Sequence, residues 1–355
     1  MVRIGIVGIG FMGRIHFLAS KNLRGAEVVA VCSRDPKKLT GDWSATRGNF
    51  GPEPGRVDLA GIKPYDSLDA MLADPTIDLI DICNTTTHHP DTAIRALNAG
   101  KHVLVEKAIA LLPEQADEML AVAKRTGKLL MVAHVLPFFP EFRAAAEIVQ
   151  GGTYGKLLGA HFTRVIAKPD WSAEIGDAAA TGGPAVDLHI HDTHFIGLLA
   201  GMPKQVFSVG VIEWNHRECG FPLGWVEDSS LNYLSTSYLY GPGGPAITCS
   251  SGAVAMPGRA FVHGFEIYLE KATLSHSSAG NLPLTVFPKE GGLFQPELAG
   301  GGDPIAAFTA ELQAAVDGVE ANREPAWLSG QLARDALMLC YKECESVRTG
   351  RIGDC

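Results

Sequence analysis

The chain has no run of eighteen apolar residues, so the sequence offers no membrane-spanning helix. It has no basic block. Its 30 Lys and Arg stand against 39 Asp and Glu, a net charge of −9. That balance argues against nucleic acid and against an anionic membrane as partners. The seven cysteines fall in no metal-ligand spacing and no even framework. Cys32 and Cys83 lie in apolar strand-like runs, and Cys340 and Cys344 are four apart in a helical stretch. Buried thiols in a reducing compartment are expected. The N-terminus enters a strand pattern at once, without a basic stretch, apolar core and cleavage site. No export signal is therefore expected, and a cytoplasmic protein is. Repeats and low-complexity segments are lacking as well.

What remains is an ordinary globular composition, 46% apolar and 19% charged over 355 residues. That length suffices for two domains. Strand-like runs at 2–7, 27–32, 79–83, 102–105 and 129–132 alternate with helical patterns that include 11–21, 91–98 and 113–125. Short apolar strands between amphipathic helices predict a parallel sheet covered on both faces. Residues 41–58 hold four glycines and two prolines and read as a surface insertion. Beyond residue 133 the pattern changes. Helices are expected at 137–150 and 181–201, then β-rich runs at 205–214, 229–240, 247–255 and 265–274, then helices at 304–319 and 329–348. The alternation in several of these runs suits an antiparallel sheet with one covered face.

Gly8-Ile9-Gly10-Phe11-Met12-Gly13 follows the first strand and opens the first helix. Gly8 permits the tight turn, Gly10 lets backbone approach a pyrophosphate, and Gly13 lets helix and strand pack closely. The phosphates would meet free N–H groups at the helix N-terminus. Glycines in a structural turn are the bland alternative, but a second strand ending about twenty residues on favours dinucleotide binding. At the end of that strand an NAD site usually places an acid for the ribose hydroxyls. Here Ser33 stands there, and Arg34 could pair with a 2′-phosphate. This leans toward NADP over NAD, although Asp35 could still serve NAD. Alternatively, Arg34-Asp35-Pro36 only starts the next helix.

Glu106-Lys107 follows directly on the strand 102–105, and ligands of open parallel sheets bind beyond the carboxyl ends of strands. Further on comes Asp187-Leu188-His189-Ile190-His191-Asp192-Thr193-His194. In a continuous helix Asp187, His191 and His194 share a face and His189 points away. An Asp one turn from a His suits general acid–base work. A metal site on Asp187, His191 and His194 is the rival reading. With no clear further ligand elsewhere, and with Lys107 available to supply positive charge, no catalytic metal is expected.

These residues carry a resemblance. The opening Ile4–Gly13 with Arg14-Ile15-His16, the run Ala99-Gly100-Lys101-His102-Val103-Leu104-Val105-Glu106-Lys107, and Asp187 with His191 after Gly182-Gly183 resemble the glucose–fructose oxidoreductase, inositol dehydrogenase and rhizopine-catabolism (Gfo/Idh/MocA) family. The similarity runs nearly the whole chain, to Glu270-Lys271-Ala272-Thr273-Leu274. It implies an α/β chain. An N-terminal Rossmann doubly wound parallel sheet at 1–132 would bind NAD(P). A C-terminal α/β domain at 133–355, with a large, mainly antiparallel sheet, would bind substrate and mediate oligomerisation. It implies NADP or NAD, hydride exchange with a sugar, cyclitol or related polyol, and a homodimer or homotetramer. By position it implies catalytic Lys107, Asp187 and His191. It places Thr85, Thr86, His88 and Glu106 at the cofactor beside Gly8, Gly10, Phe11, Met12, Gly13, Ser33, Arg34 and Lys107. His134 falls where many members place a polar residue near substrate, and Trp171, Arg164 and Trp225 are further candidate wall residues. The family's Glu-Lys-Pro is Glu106-Lys107-Ala108 here, which removes a fixed φ. Two other functions remain open: a non-catalytic NAD(P)-binding regulator, and an enzyme that oxidises a sugar transiently on tightly held NAD during glycoside cleavage or epimerisation.

Overall fold

The computed structural model describes residues 1–168, 177–214, 229–280, 282–300 and 303–355. Trp171 and Trp225 lie outside the described residues. The first sheet is built from β1 (Val2–Val7), β2 (Ala26–Cys32), β3 (Lys63–Tyr65), β4 (Leu79–Ile82), β5 (His102–Glu106) and β6 (Leu130–Ala133). Their order is β3-β2-β1-β4-β5-β6, with every neighbouring pair parallel. β4 and β6 are buried along their whole length, and β1 and β5 nearly so, as strands covered on both faces must be. The connecting helices are α1 (Phe11–Ser20), the short α2 (Pro36–Leu39) and α3 (Leu68–Leu72), α4 (His89–Asn98) and α5 (Pro113–Thr126). Local chemistry sets their limits. α5 starts on Pro113, with the Gln115 side chain accepting from the Leu112 N–H, and stops on Gly127 at φ 67°, an inexpensive αL end for glycine.

The second sheet contains β7 (Leu157–Ala167), β8 (Gln205–Trp214), β9 (Ser229–Leu239), β10 (Ala246–Ala255), β11 (Val262–Leu269), β12 (Ala272–Ser277), β13 (Leu282–Pro288) and β14 (Gly353–Asp354). Its order is β13-β12-β11-β7-β10-β9-β8-β14, antiparallel except where β10 runs parallel to β7. The helices of this part are α6 (Pro140–Gly151), α7 (Ala178–Thr181), α8 (Gly183–Asp187) and α9 (Ile190–Ala200), with α8 against β9 and α9 against β7. The chain closes with α10 (Ala306–Ala321) and α11 (Gly330–Thr349). The inner residues of β7 are Ala160, Phe162 and Arg164. Phe162 packs edge-on against Phe195 of α9, and Phe142 of α6 packs against both Phe195 and Phe265.

Two compact units result: Met1–Phe138 with Gly302–Arg334, and Phe139–Gly301 with Asp335–Cys355. The division is therefore not into two contiguous segments, because α10 returns to pack on α1. Three local expectations change. The run 265–274 is two strands, since the chain reverses at Glu270 and Lys271, whose N–H groups bond to Lys156 and Tyr154 carbonyls. The helix expected at 181–201 is broken after Asp187, where the Pro184 carbonyl accepts from both Leu188 and His189. The insertion 41–58 is not only surface. Trp43 is fully buried, bonds through its indole N–H to the Lys38 carbonyl and packs edge-on against Phe17. No helix among the described residues is long and apolar enough to cross a membrane.

Candidate active site

The glycine turn at the carboxyl end of β1 has the shape a dinucleotide requires. Gly8 adopts φ 93°, and a side chain there would meet the Asn84 backbone nitrogen at 2.6 Å. A side chain on Gly13 would collide with the Gly8 carbonyl oxygen. Gly10 differs: nothing lies within 4 Å of where its side chain would be. It is also the N-cap of α1 and provides no side-chain cap. The backbone at Gly10 is thus open to close approach, which fits a phosphate at the start of α1. Phe11 and Met12 are half-buried, and Phe11 packs edge-on against Phe50 of the insertion at 4.8 Å.

At the end of β2, Ser33 Oγ accepts from the Asp35 N–H at 3.1 Å. Asp35 in turn caps α2 by accepting from Lys37 N–H at 3.0 Å. The carboxylate that could have served a ribose is engaged by its own helix. Arg34 beside it is exposed. Thr85 caps a single 3₁₀ turn over Thr86–His88 at the end of β4, with Thr85 and His88 exposed and Thr86 half-buried. His134 is fully buried just after β6.

Lys107 leaves the carboxyl end of β5 half-buried, and its own N–H donates to Glu106 Oε2 at 3.0 Å. The Lys107–Ala108 peptide is cis. Beside it, His89 is buried with Nδ1 2.8 Å from the Ala108 carbonyl and Nε2 3.0 Å from the Asn84 carbonyl. Burial holds its pKa below the ordinary value. His89 thereby sits between the loop after β4 and the loop after β5, and when neutral it donates to one of the two carbonyls. Nothing in the sequence singled it out.

In the second unit, Asp187 ends α8 and His191 lies in the first turn of α9, both half-buried. Because the helix breaks between them, the continuous-helix face does not exist. His194 is fully buried, and burial pushes its pKa down to about 3. His189 does point away, but into a charged core. Its Nε2 lies 2.5 Å from Glu343 Oε2 and 3.2 Å from the Tyr238 hydroxyl. Burial lowers the His189 pKa, yet Glu343 outweighs it and the net direction is upward. Next to this pair, Arg164 grips Asp192 with two bonds of 2.6 and 3.1 Å, both side chains buried. Arg164 is thus committed inside the core.

Among the described residues, the close groups of potential metal ligands are His16-Asp81-Cys83 and His189-Asp192-Cys249. Neither includes Asp187, His191 or His194. Both are already internally bonded, and burial raises the Cys83 and Cys249 thiol pKa values, which disfavours the thiolate a metal needs.

Residues 2–134 match the family described as an oxidoreductase family with an NAD-binding Rossmann fold, GFO_IDH_MocA. The match covers the first parallel sheet and its connecting helices. The chain is 31% identical over 217 residues to an uncharacterized oxidoreductase of Rhizobium meliloti, covering 60% of each. It is 26% identical over 212 residues to a myo-inositol 2-dehydrogenase of Thermotoga maritima, covering 59% of each. The matches thus span about six-tenths of the length of these curated relatives. Among solved structures, a levoglucosan dehydrogenase in complex with NADH and levoglucosan superposes with a TM-score of 0.82 at 18% identity, covering 99% of both chains. At that identity the likeness shows the fold.

Proposed function

We propose that this chain belongs to the Gfo/Idh/MocA family and is an NAD(P)-dependent dehydrogenase or reductase acting on a CH–OH group of a sugar, cyclitol or related polyol. The observation that carries the reading lies within one sheet. β1 delivers the glycine turn, open at Gly10, and β5 delivers Lys107 from the same carboxyl edge. Relatives named for inositol and levoglucosan support the substrate class.

When bound, a nicotinamide dinucleotide would supply the hydride acceptor or donor. The chain's own residues handle the proton and the oxygen. In the oxidative direction His191 takes the hydroxyl proton, for which imidazole has a suitable pKa. Lys107 binds a substrate oxygen and stabilises its developing negative charge. Asp187 orients His191. The cofactor reading leans toward NADP, supported by Ser33 at the strand end and by Asp35 being engaged as a helix cap. A second copy of the chain is the expected partner. β8 supports this by presenting Phe207, Val209 and Val211 outward in alternation.

The test is a panel of polyols and sugars followed at 340 nm with each cofactor. His191→Ala and Lys107→Ala should each lower kcat by at least about a hundredfold while cofactor still binds. Cofactor binding without turnover of any polyol would favour a regulatory protein. Copurified cofactor with product but no net absorbance change would favour transient oxidation.

A further inference from the structure

β4 reads Leu79-Ile80-Asp81-Ile82, and all four residues are buried. A lone carboxylate there would be costly unless paired. Asp81 is paired with His16 of α1, whose Nδ1 lies 3.0 and 3.1 Å from the two Asp81 oxygens. On the other side of the same ring, Nε2 lies 3.1 Å from Glu106 Oε1. Asp81 requires a proton on Nδ1, and a second carboxylate at ion-pair distance from Nε2 favours the imidazolium. Burial opposes that charge. Asp81 outweighs it, and the His16 pKa stands well above its ordinary value.

The chain of contacts continues outward. Glu106 Oε1 stands at ion-pair distance from His16 Nε2, outside hydrogen-bond geometry, and Glu106 Oε2 accepts the Lys107 N–H. The remaining groups around His16 are Cys83 of β4, with Sγ 3.5 Å from Nδ1, and Glu311 of α10. Glu311 is fully buried, and neither of its oxygens has a hydrogen-bond partner among the described residues. Burial raises its pKa. The nearby His16 charge opposes this, Glu106 and Asp81 add to it, and the net is far above the carboxylate range. A protonated Glu311 leaves the cluster with two carboxylates, one imidazolium and one neutral acid. His89 of α4 faces Glu106 and Lys107 from the other side.

We propose that His16 is a positioning residue for Lys107, acting through Glu106. Asp81 fixes the imidazolium, the imidazolium fixes Glu106, and Glu106 fixes the main chain where Lys107 leaves β5. The helix that begins at the glycine turn is thereby tied to the residue that would hold the substrate oxygen. This rests on the reading of Lys107 as catalytic.

The test is a double-mutant cycle on the full-length protein with His16→Gln, Glu106→Gln and both. Cofactor affinity is read by fluorescence titration, kcat from pH 5 to 10, and folding by thermal melt. Each single variant should lower kcat about tenfold or more and shift the kcat–pH profile, with KM for the polyol changed less than kcat. The double should be no worse than the poorer single, because both act through one chain. Additive losses, or a lowered Tm with unchanged kcat and profile, would overturn the proposal. If His16→Gln does not fold, Glu106→Gln alone decides: unchanged kcat overturns it, and a kcat loss with a shifted profile and retained folding supports it. Lys107→Met runs in parallel. If that variant keeps normal turnover, the reading of Lys107 itself fails. If it is inactive while the His16 and Glu106 variants are normal, only the positioning role fails.

Discussion

His189 Nε2 and Glu343 Oε2 face each other at 2.5 Å with both side chains fully buried. The ring sits at the break between α8 and α9, flanked in sequence by Asp187 and His191. Removing one partner of such a pair strands the other charge in the core, which typically costs about 3–5 kcal/mol. His189→Ala should therefore lower Tm sharply and reduce soluble yield. Helical spacing alone places His189 away from Asp187 and His191 and gives no sign of this pair. A His189→Ala protein that melts like wild type would show that the pair contributes nothing net.

His194 ties stability to pH. The unfolded chain takes up a proton near pH 6.5, whereas the buried ring resists protonation down to about 3. The stabilisation is therefore fully present above about 6.5. Below that it is lost by up to about 1.4 kcal/mol per pH unit. Urea unfolding of wild type between pH 7 and 4 should show this slope, and His194→Gln should flatten part of it. Equal slopes in both proteins would remove His194 as a cause.

Gly10 and Gly13 should respond differently to the same added methyl. Gly13→Ala forces a collision with the Gly8 carbonyl, so both Tm and cofactor affinity should fall. Gly10→Ala meets no protein atom within 4 Å. Its Tm should stay near wild type while cofactor affinity drops about tenfold or more, because the methyl occupies the space backbone needs to approach a pyrophosphate. Unchanged affinity in Gly10→Ala would place the phosphates elsewhere.

Trp43 tests whether the insertion 41–58 can be spared. A fully buried Trp cut to Ala typically costs about 3–5 kcal/mol. Trp43→Ala should destabilise the protein by that order in denaturant melts. A loss under about 1 kcal/mol would return the segment to the status of a surface loop.

Arg34 bears on the lean toward NADP. An Arg contact to phosphate is charge-assisted, so Arg34→Ala should weaken NADP binding by about 1.5–3 kcal/mol and leave NAD nearly unchanged. Parallel titrations with both cofactors check this, and equal losses would remove its role in specificity.

The sequence by itself determined the parallel sheet, the glycine turn and the position of Lys107, because these depend on local period and on residues adjacent in the chain. Six residues with glycines at 8, 10 and 13 after an apolar strand specify a turn whatever lies around them. The β-rich composition after residue 205 likewise foretold an antiparallel sheet. Tertiary structure decided the rest. At the break in 181–201 His189 meets a carboxylate, and that Glu343 lies 154 residues away. Asp81 lies inside an apolar strand run, and its partner comes from α1, 65 residues distant. Glu311 carried no signal, because a helical Glu normally reads as solvated, and only the return of α10 onto α1 buries it. Charges in a core are stabilised by specific partners brought together by folding, and spacing along the chain does not encode which partner that will be.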